Sequence, residues 1–196
     1  MPKLPPLYLA SRSPRRGQLL EQIGLAYRSV DVEVDETPRT GEAPADYVAR
    51  LAREKAAAGA AALGLSGDGG VVLGADTAIE LDGKILGKPA GNGEARAFLG
   101  ALSGREHAVL SAVAATAGGP PLVRTSRTAV VMRPIGAEEI EAYLATGEPA
   151  DKAGAYAIQG RGAVFVAGIR GSYSAVMGLP LYETDQLLRE LGVKVL

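Results

Sequence analysis

Apolar positions along this chain switch between a strand rhythm and a helix rhythm. Leu7 to Ala10 is a short apolar run and predicts a buried strand. Ser13 and Pro14 follow as a helix N-cap and first helical residue, where proline loses no hydrogen bond. Leu19, Leu20 and Ile23 then recur at helical spacing, and Gly24 predicts the stop. Tyr27 to Val34 reads as a strand, and Asp35 to Ala43 as polar turn. From Pro44 to Leu63 the rhythm is helical again, with Tyr47, Val48 and Leu51 as the buried stripe. One turn further the stripe meets Glu54 and Lys55. Two readings stay open there: the charges pair with each other at the stripe's edge, or the helix aims them into a cleft.

Val71 to Ala75 predicts a buried strand that ends at Asp76-Thr77. Ala78 to Leu81, the Asp82-Gly83 turn and Lys84 to Leu86 predict a hairpin. Asn92 reads as the cap of a helix running to Leu102. Two long strands follow, Glu106 to Ala117 and Leu122 to Met132, around a Gly-Gly-Pro-Pro turn. Gly136 to Ala145 predicts a helix, Ala155 to Gln159 and Ala163 to Ala167 short strands, and Pro180 to about Leu191 the last helix. Helices and strands mix along the whole length without a repeat, so the class is α/β or α+β. A length of 196 residues favours one domain over 1–196 and is ample for a real core.

Composition narrows the chemistry. The net charge of -1 argues against a partner as basic-field-dependent as a nucleic acid polymer, so any phosphate site must be a local cluster. There is no cysteine, which excludes disulfides and thiolate catalysis and fits a reducing cytosol. The N-terminal stretch does not read as a signal peptide and no apolar run could span a bilayer, so the expectation is a cytoplasmic protein without a membrane partner. A single histidine, His107, lies in a strand pattern and is given no role. Chemistry falls to Asp, Glu, Lys, Arg, Ser, Thr and Tyr.

Four places could carry it. In Ser11-Arg12-Ser13-Pro14-Arg15-Arg16 a strand runs into a helix N-terminus, where free N–H groups and the dipole favour an anion. Three arginines there oppose the dipole unless an anion compensates, although a plain cap with surface arginines is also conceivable. Asp76, next to a buried strand, is either a turn aspartate or a general base or metal ligand facing a cleft. Lys88, in Gly87-Lys88-Pro89, is either solvated or a point charge for phosphate. Gln159, in an apolar context, is either a core amide satisfied by backbone or a reader of a base edge such as uracil's. Neither G-x-x-x-x-G-K-[ST] nor G-x-G-x-x-G occurs, which disfavours a kinase or a dinucleotide enzyme.

Taken in order, these segments closely resemble the Maf family of nucleotide pyrophosphatases. The match comprises Ala10 to Arg16, Leu51-Ala52-Arg53-Glu54-Lys55-Ala56, Gly74-Ala75-Asp76-Thr77, Gly87-Lys88-Pro89, Leu102-Ser103-Gly104, Asp151 to Gly160, Gly171-Ser172-Tyr173 and Gly178-Leu179-Pro180. The resemblance implies an α/β fold with an elongated mixed central sheet flanked by helices, and a cleft between two lobes like that of inosine triphosphatases. It implies metal-dependent hydrolysis of a nucleoside triphosphate to the monophosphate and pyrophosphate. The segment Ala155 to Gly160 resembles the subgroup acting on dTTP and UTP; the subgroup acting on 7-methyl-GTP tends to carry an acidic residue at the place of Gln159. Ala157, where the subgroup usually has glycine, and Met177 are small departures. Family members are often homodimers and have been linked to inhibition of septum formation, so a nucleotide-binding regulator is the alternative to an enzyme.

The roles implied are these. Ser11, Ser13, Arg16, Lys55 and Lys88 bind phosphates, with Arg15 beside them. Glu36, in an acidic loop that the family shares, and Asp76 hold a divalent cation, Mg²⁺ or Mn²⁺. Asp76 is also the catalytic base. Arg15, Thr77 and Gln159 set which nucleotide fits.

Overall fold

The computed structural model describes residues 5–65 and 69–196. In chain order the elements are β1 (Leu7–Ala10), α1 (Pro14–Gln22), β2 (Arg28–Ser29), α2 (Pro44–Ala62), β3 (Val71–Leu81), β4 (Lys84–Leu86), α3 (Asn92–Leu102), β5 (Glu106–Thr116), β6 (Leu122–Met132), α4 (Ala137–Leu144), β7 (Val166–Arg170), α5 (Tyr173–Met177) and α6 (Leu181–Glu190). Short 3₁₀ turns cover Glu148–Asp151, Ala153–Ala155 and Arg161–Phe165. The strands form one mixed sheet in the order β2-β1-β3-β5-β6-β7, with β4 also paired to β3. β1 runs parallel to both β2 and β3; the remaining pairs are antiparallel. This is the mixed α/β arrangement expected.

The centre of the sheet is built for close approach. Val48, Ala49, Ala52 and Ala56 of α2 form one apolar cluster with Ala78 of β3 and Leu110, Ala112 and Ala114 of β5. Small side chains on both surfaces let the helix axis sit low on the sheet. Gly74 is the tightest point: a Cβ there would lie 2.4 Å from both the Ala52 carbonyl oxygen and the Ala56 nitrogen. No side chain larger than hydrogen fits, and the helix brings Lys55 down onto the strand in consequence. The larger core, with Leu19, Leu20, Leu73, Leu99, Leu102, Val113, Leu179 and Leu187, lies among α1, α3, α6 and the sheet.

Several expected elements differ. β3 does not end at Asp76-Thr77 but runs unbroken from Val71 to Leu81, because β5 pairs with it from Val72 to Glu80. The strand expected over Tyr27 to Val34 shrinks to Arg28–Ser29, since the four-residue β1 offers it only Tyr8 and Leu9. The strands expected at Ala155 to Gln159 and Ala163 to Ala167 are 3₁₀ turns and irregular chain, and pairing begins only at Val166, against β6. Gly91 rather than Asn92 is the cap residue of α3, and the Glu94 carboxylate receives the Ala90 N–H at 2.7 Å. α5 was not expected; it is capped by the Ser172 hydroxyl, which accepts from the Ala175 N–H, and it ends at Gly178 in the left-handed region.

Candidate active site

A gap in strand pairing opens the cleft. On the side of β3 away from β5, β1 pairs with Val71 to Gly74 and β4 with Ile79 to Leu81. Among the described residues no strand lies beside Ala75 to Ala78 on that side, and the chain leaves β1 there as the loop Ser11 to Ser13. The Asp76 side chain alternates to the same face as Gly74, toward α2. Asp76 therefore combines a rigid strand position with access to a cavity of about 1550 Å³.

Lys55 reaches into this gap. Its Nζ lies 2.7 Å from Asp76 Oδ1 and 2.6 Å from Glu36 Oε1. Asp76 is only 8% exposed. Burial raises its carboxyl above the ordinary value; Lys55 and Arg16 pull the other way without cancelling the rise. Glu36 is half exposed, and the balance is reversed: burial would raise it, but the Lys55 hydrogen bond and the charges of Lys55, Lys88 and Arg16 hold it below the ordinary value. Two carboxylates on one cation thus differ in proton affinity. The question of Glu54 and Lys55 resolves against their pairing with each other. Lys55 enters the cleft, whereas Glu54 turns to Arg50 and Arg39 at 3.2 and 3.1 Å.

The loop bearing Glu36 is tied to α2 by the same arginine. Arg50 Nε and Nη2 grip the Glu42 carboxylate at 2.6 and 2.8 Å, and Nη2 also donates to the Thr37 carbonyl at 3.2 Å. Tyr47 donates its hydroxyl to the Glu36 carbonyl at 2.9 Å. Burial, with Asp76 and Glu36 nearby, pushes the Tyr47 phenol up to about 12, so it remains a donor. Arg50, Glu42 and Tyr47 are thus site-shaping residues outside the expected set. The polar turn Asp35 to Ala43 gave no signal of them, because their partners are fifteen residues or fewer away in sequence but meet only once α2 is formed.

The three arginines of the first loop part company. Arg12 is exposed and pairs with Asp31 at 3.1 Å. Arg16 is half-buried, donating from Nε to the Gly178 carbonyl at 2.8 Å and from Nη1 to Ser11 Oγ at 3.0 Å. Burial lowers its affinity for the proton, opposed by Asp76 and Glu36. Arg15 lines the cleft and has no hydrogen-bond partner among the described residues. Ser13 has the extended backbone of a cap, but its hydroxyl caps nothing. The Ser11 hydroxyl accepts the Ser13 N–H at 3.2 Å, so it folds the loop as well as meeting Arg16.

Thr77, Lys88 and Gln159 also line this cavity. The Thr77 hydroxyl shares a 2.9 Å hydrogen bond with Ser111, whose own hydroxyl donates to the Ala175 carbonyl at 2.6 Å. Lys88 is exposed. Gln159 is exposed too, so it is not a core amide satisfied by backbone, and its side chain has no partner among the described residues. Every residue expected at the site therefore borders one cavity, with the buried Asp76 and the half-buried Lys55 at its floor and the exposed Lys88 and Gln159 at its rim. Tyr156 and Lys152 border it as well and were given no role. Tyr156 hydrogen-bonds His107 Nε2 at 2.8 Å, so the single histidine has a buried partner at one remove from the cavity.

A protein-family model described as Maf-like protein matches residues 6–191, almost the whole chain. The chain belongs to the Maf-like family. Among curated relatives, a protein of Methylococcus capsulatus is 54% identical over 187 residues, covering 95% of this chain and 91% of that protein. One of Aromatoleum aromaticum is 53% identical, covering 95% of each chain. One of Nitrosomonas europaea is 52% identical, covering 96% of each. All three are named dTTP/UTP pyrophosphatase. The solved structure of the Staphylococcus aureus Ham1 protein aligns at a TM-score of 0.42 and 15% identity over 64% of this chain and 71% of that one, too distant to carry an argument.

For a Maf-like chain the donor set bears on metal chemistry. Among the described residues no three His, Cys, Asp or Glu side chains converge as a ready-made metal cage. Glu36 and Asp76 do converge on one cation, the Lys55 ammonium. Two carboxylates completed by water and phosphate oxygens are what a hard ion such as Mg²⁺ accepts. No helix among the described residues is long and apolar enough to cross a membrane.

Proposed function

We propose that this chain hydrolyses dTTP and UTP to the nucleoside monophosphate and pyrophosphate. The observation that carries the reading is the meeting of Lys55, Asp76 and Glu36 in the sheet gap, in a chain about half identical to proteins named dTTP/UTP pyrophosphatase. A binding protein would need the cations of this cleft but not a buried carboxylate with raised proton affinity on its floor.

In this reading Arg15, Arg16 and Lys88 neutralise the triphosphate, aided by Ser11, Ser13 and the N-terminus of α1. Glu36 and Asp76 would hold a divalent cation, Mg²⁺ or Mn²⁺, which when bound would supply charge neutralisation and a more acidic water. Lys55, whose ammonium lies between the two carboxylates, is placed to donate to a phosphate oxygen as well. Asp76, fixed on the strand at the floor of the cleft, takes the proton of the water that attacks the α-phosphorus. The bond to the bridging oxygen breaks and pyrophosphate leaves. Thr77, Arg15 and Gln159 choose the nucleotide. The Gln159 amide offers both a donor group and an acceptor group, as a pyrimidine edge requires, whereas a carboxylate could only accept.

The test is a panel of triphosphates at equal concentration with Mg²⁺, assayed for pyrophosphate. dTTP and UTP are expected to lead. Preference for 7-methyl-GTP would move the chain to another subgroup, and nucleotide binding without pyrophosphate release would make it a regulator.

A further inference from the structure

The loop from Ala157 to Gly162 carries Gln159 but pairs with no strand among the described residues. Two side chains from outside it hold its backbone instead. Tyr143, near the end of α4, accepts the Ala157 N–H at 3.1 Å. The same hydroxyl donates to Glu148 Oε1 at 2.7 Å. Glu148 then accepts the Gly162 N–H on Oε1 and the Arg161 N–H on Oε2, each at 3.0 Å. The loop is pinned at residue 157 and again at 161 and 162, and Gln159 lies between the pins.

The fit is close. A Cβ on Gly160 would lie 2.5 Å from Glu148 Oε2, and one on Gly162 would lie 2.6 Å from the Tyr143 hydroxyl. The glycines of the loop and the two clamping side chains are therefore matched in shape. The clamp is itself anchored. The Tyr143 ring is buried and meets Phe165 edge-on at 5.1 Å, and the Glu148 N–H donates to the Thr146 hydroxyl at 3.2 Å. A carboxylate that accepts from two backbone amides and a phenol makes charge-assisted bonds, stronger than neutral ones. An amide in its place would turn an N–H₂ toward one of those donors.

We propose that Tyr143 and Glu148 are positioning residues for nucleobase selection, holding the loop Ala157–Gly162 so that the Gln159 amide meets the edge of the base. This rests on the reading of Gln159 given above. The phosphate-binding residues sit on other elements, so a loosened loop should blur the choice of base more than it slows the chemistry.

The experiment compares kcat and KM for UTP, CTP and GTP in Glu148→Gln, Tyr143→Phe, Gln159→Ala and the double variant Glu148→Gln/Gln159→Ala. Thermal unfolding of each checks folding. Glu148→Gln and Tyr143→Phe are expected to lower the ratio of kcat/KM for UTP to that for CTP and GTP roughly tenfold, mostly through the KM for UTP, because a shift of about 1 Å defeats a directional contact. In the Gln159→Ala background Glu148→Gln should alter the ratio by less than about twofold, as residues acting through one another are not additive. Equal slowing of all three triphosphates, or selectivity losses that add in full, would overturn the proposal. Failure of the Gln159 reading shows separately, as an unchanged ratio in Gln159→Ala alone, where the clamp is intact; that result removes the proposal too. Should Glu148→Gln not fold, Tyr143→Phe keeps the ring on Phe165 and decides the matter by the same ratio.

Discussion

Asp76 and Gln159 border one cavity from opposite kinds of backbone. Asp76 lies in the middle of an eleven-residue strand, hydrogen-bonded along its length to β5 and pressed from above by α2. Gln159 lies on a loop that has no strand partner among the described residues and is held by a tyrosine and a glutamate. The floor needs a position fixed to a fraction of an ångström, because proton transfer and in-line attack are intolerant of drift. In the function proposed above, the rim needs only to present hydrogen-bonding groups to a base. Chemistry would then rest on the sheet and choice on the loop, and the two should be separable by mutation.

Glu36→Gln should do most damage among the residues flanking the floor. It removes one of two carboxylates on the Lys55 ammonium, and a loss of roughly 100-fold in kcat with a higher Mg²⁺ requirement is expected. A Mg²⁺ titration of turnover reads both. Gln159→Glu comes next. Turnover of dTTP and UTP should fall about tenfold in kcat/KM, through lost base contacts, with the unfolding midpoint unmoved because the side chain is exposed. A comparable fall in stability would mean that the rim is as structural as the floor.

His107→Gln should have the smallest effect on turnover. Burial lowers the His107 imidazole to about 4, so the folded protein binds its proton more weakly than the unfolded chain does. The stability this gives is complete above the ordinary value of 6.5 and is lost as pH falls through about 4. The difference is roughly 3 kcal/mol for this almost fully buried ring. Glutamine can keep a hydrogen bond to the Tyr156 hydroxyl and does not titrate, so denaturant unfolding between those pH values should lose most of its slope. kcat/KM for UTP at neutral pH should stay within about twofold.

The floor was more legible in the sequence than the rim, for a physical reason. β1, α1, α2, β5 and β6 announce themselves by local period and caps, and Lys55 is visible as a charge on an apolar stripe. That Lys55 meets Asp76 follows from Gly74 and the alanines of α2, small residues whose meaning is clear only once helix and strand are in contact. The continuity of β3 past Asp76 was hidden because it depends on β5, more than thirty residues away. The segment around Gln159 reads as a strand by composition, but it pairs with no strand among the described residues, and side chains from α4 and the following turn satisfy its backbone instead. α5 is bracketed by Ser172 and Gly178 as cap and stop, but at five residues it is too short to show a helical period.

The division between floor and rim stands or falls on Asp76. Wild type and Asp76→Asn should be incubated with UTP and Mg²⁺ and the products resolved. Wild type should yield UMP and pyrophosphate. Asp76→Asn, with folding checked by thermal unfolding, should be slower by about 10³-fold or more. A folded Asp76→Asn that releases pyrophosphate at a rate near wild type, or a wild type that releases orthophosphate instead, would contradict this reading of the cleft.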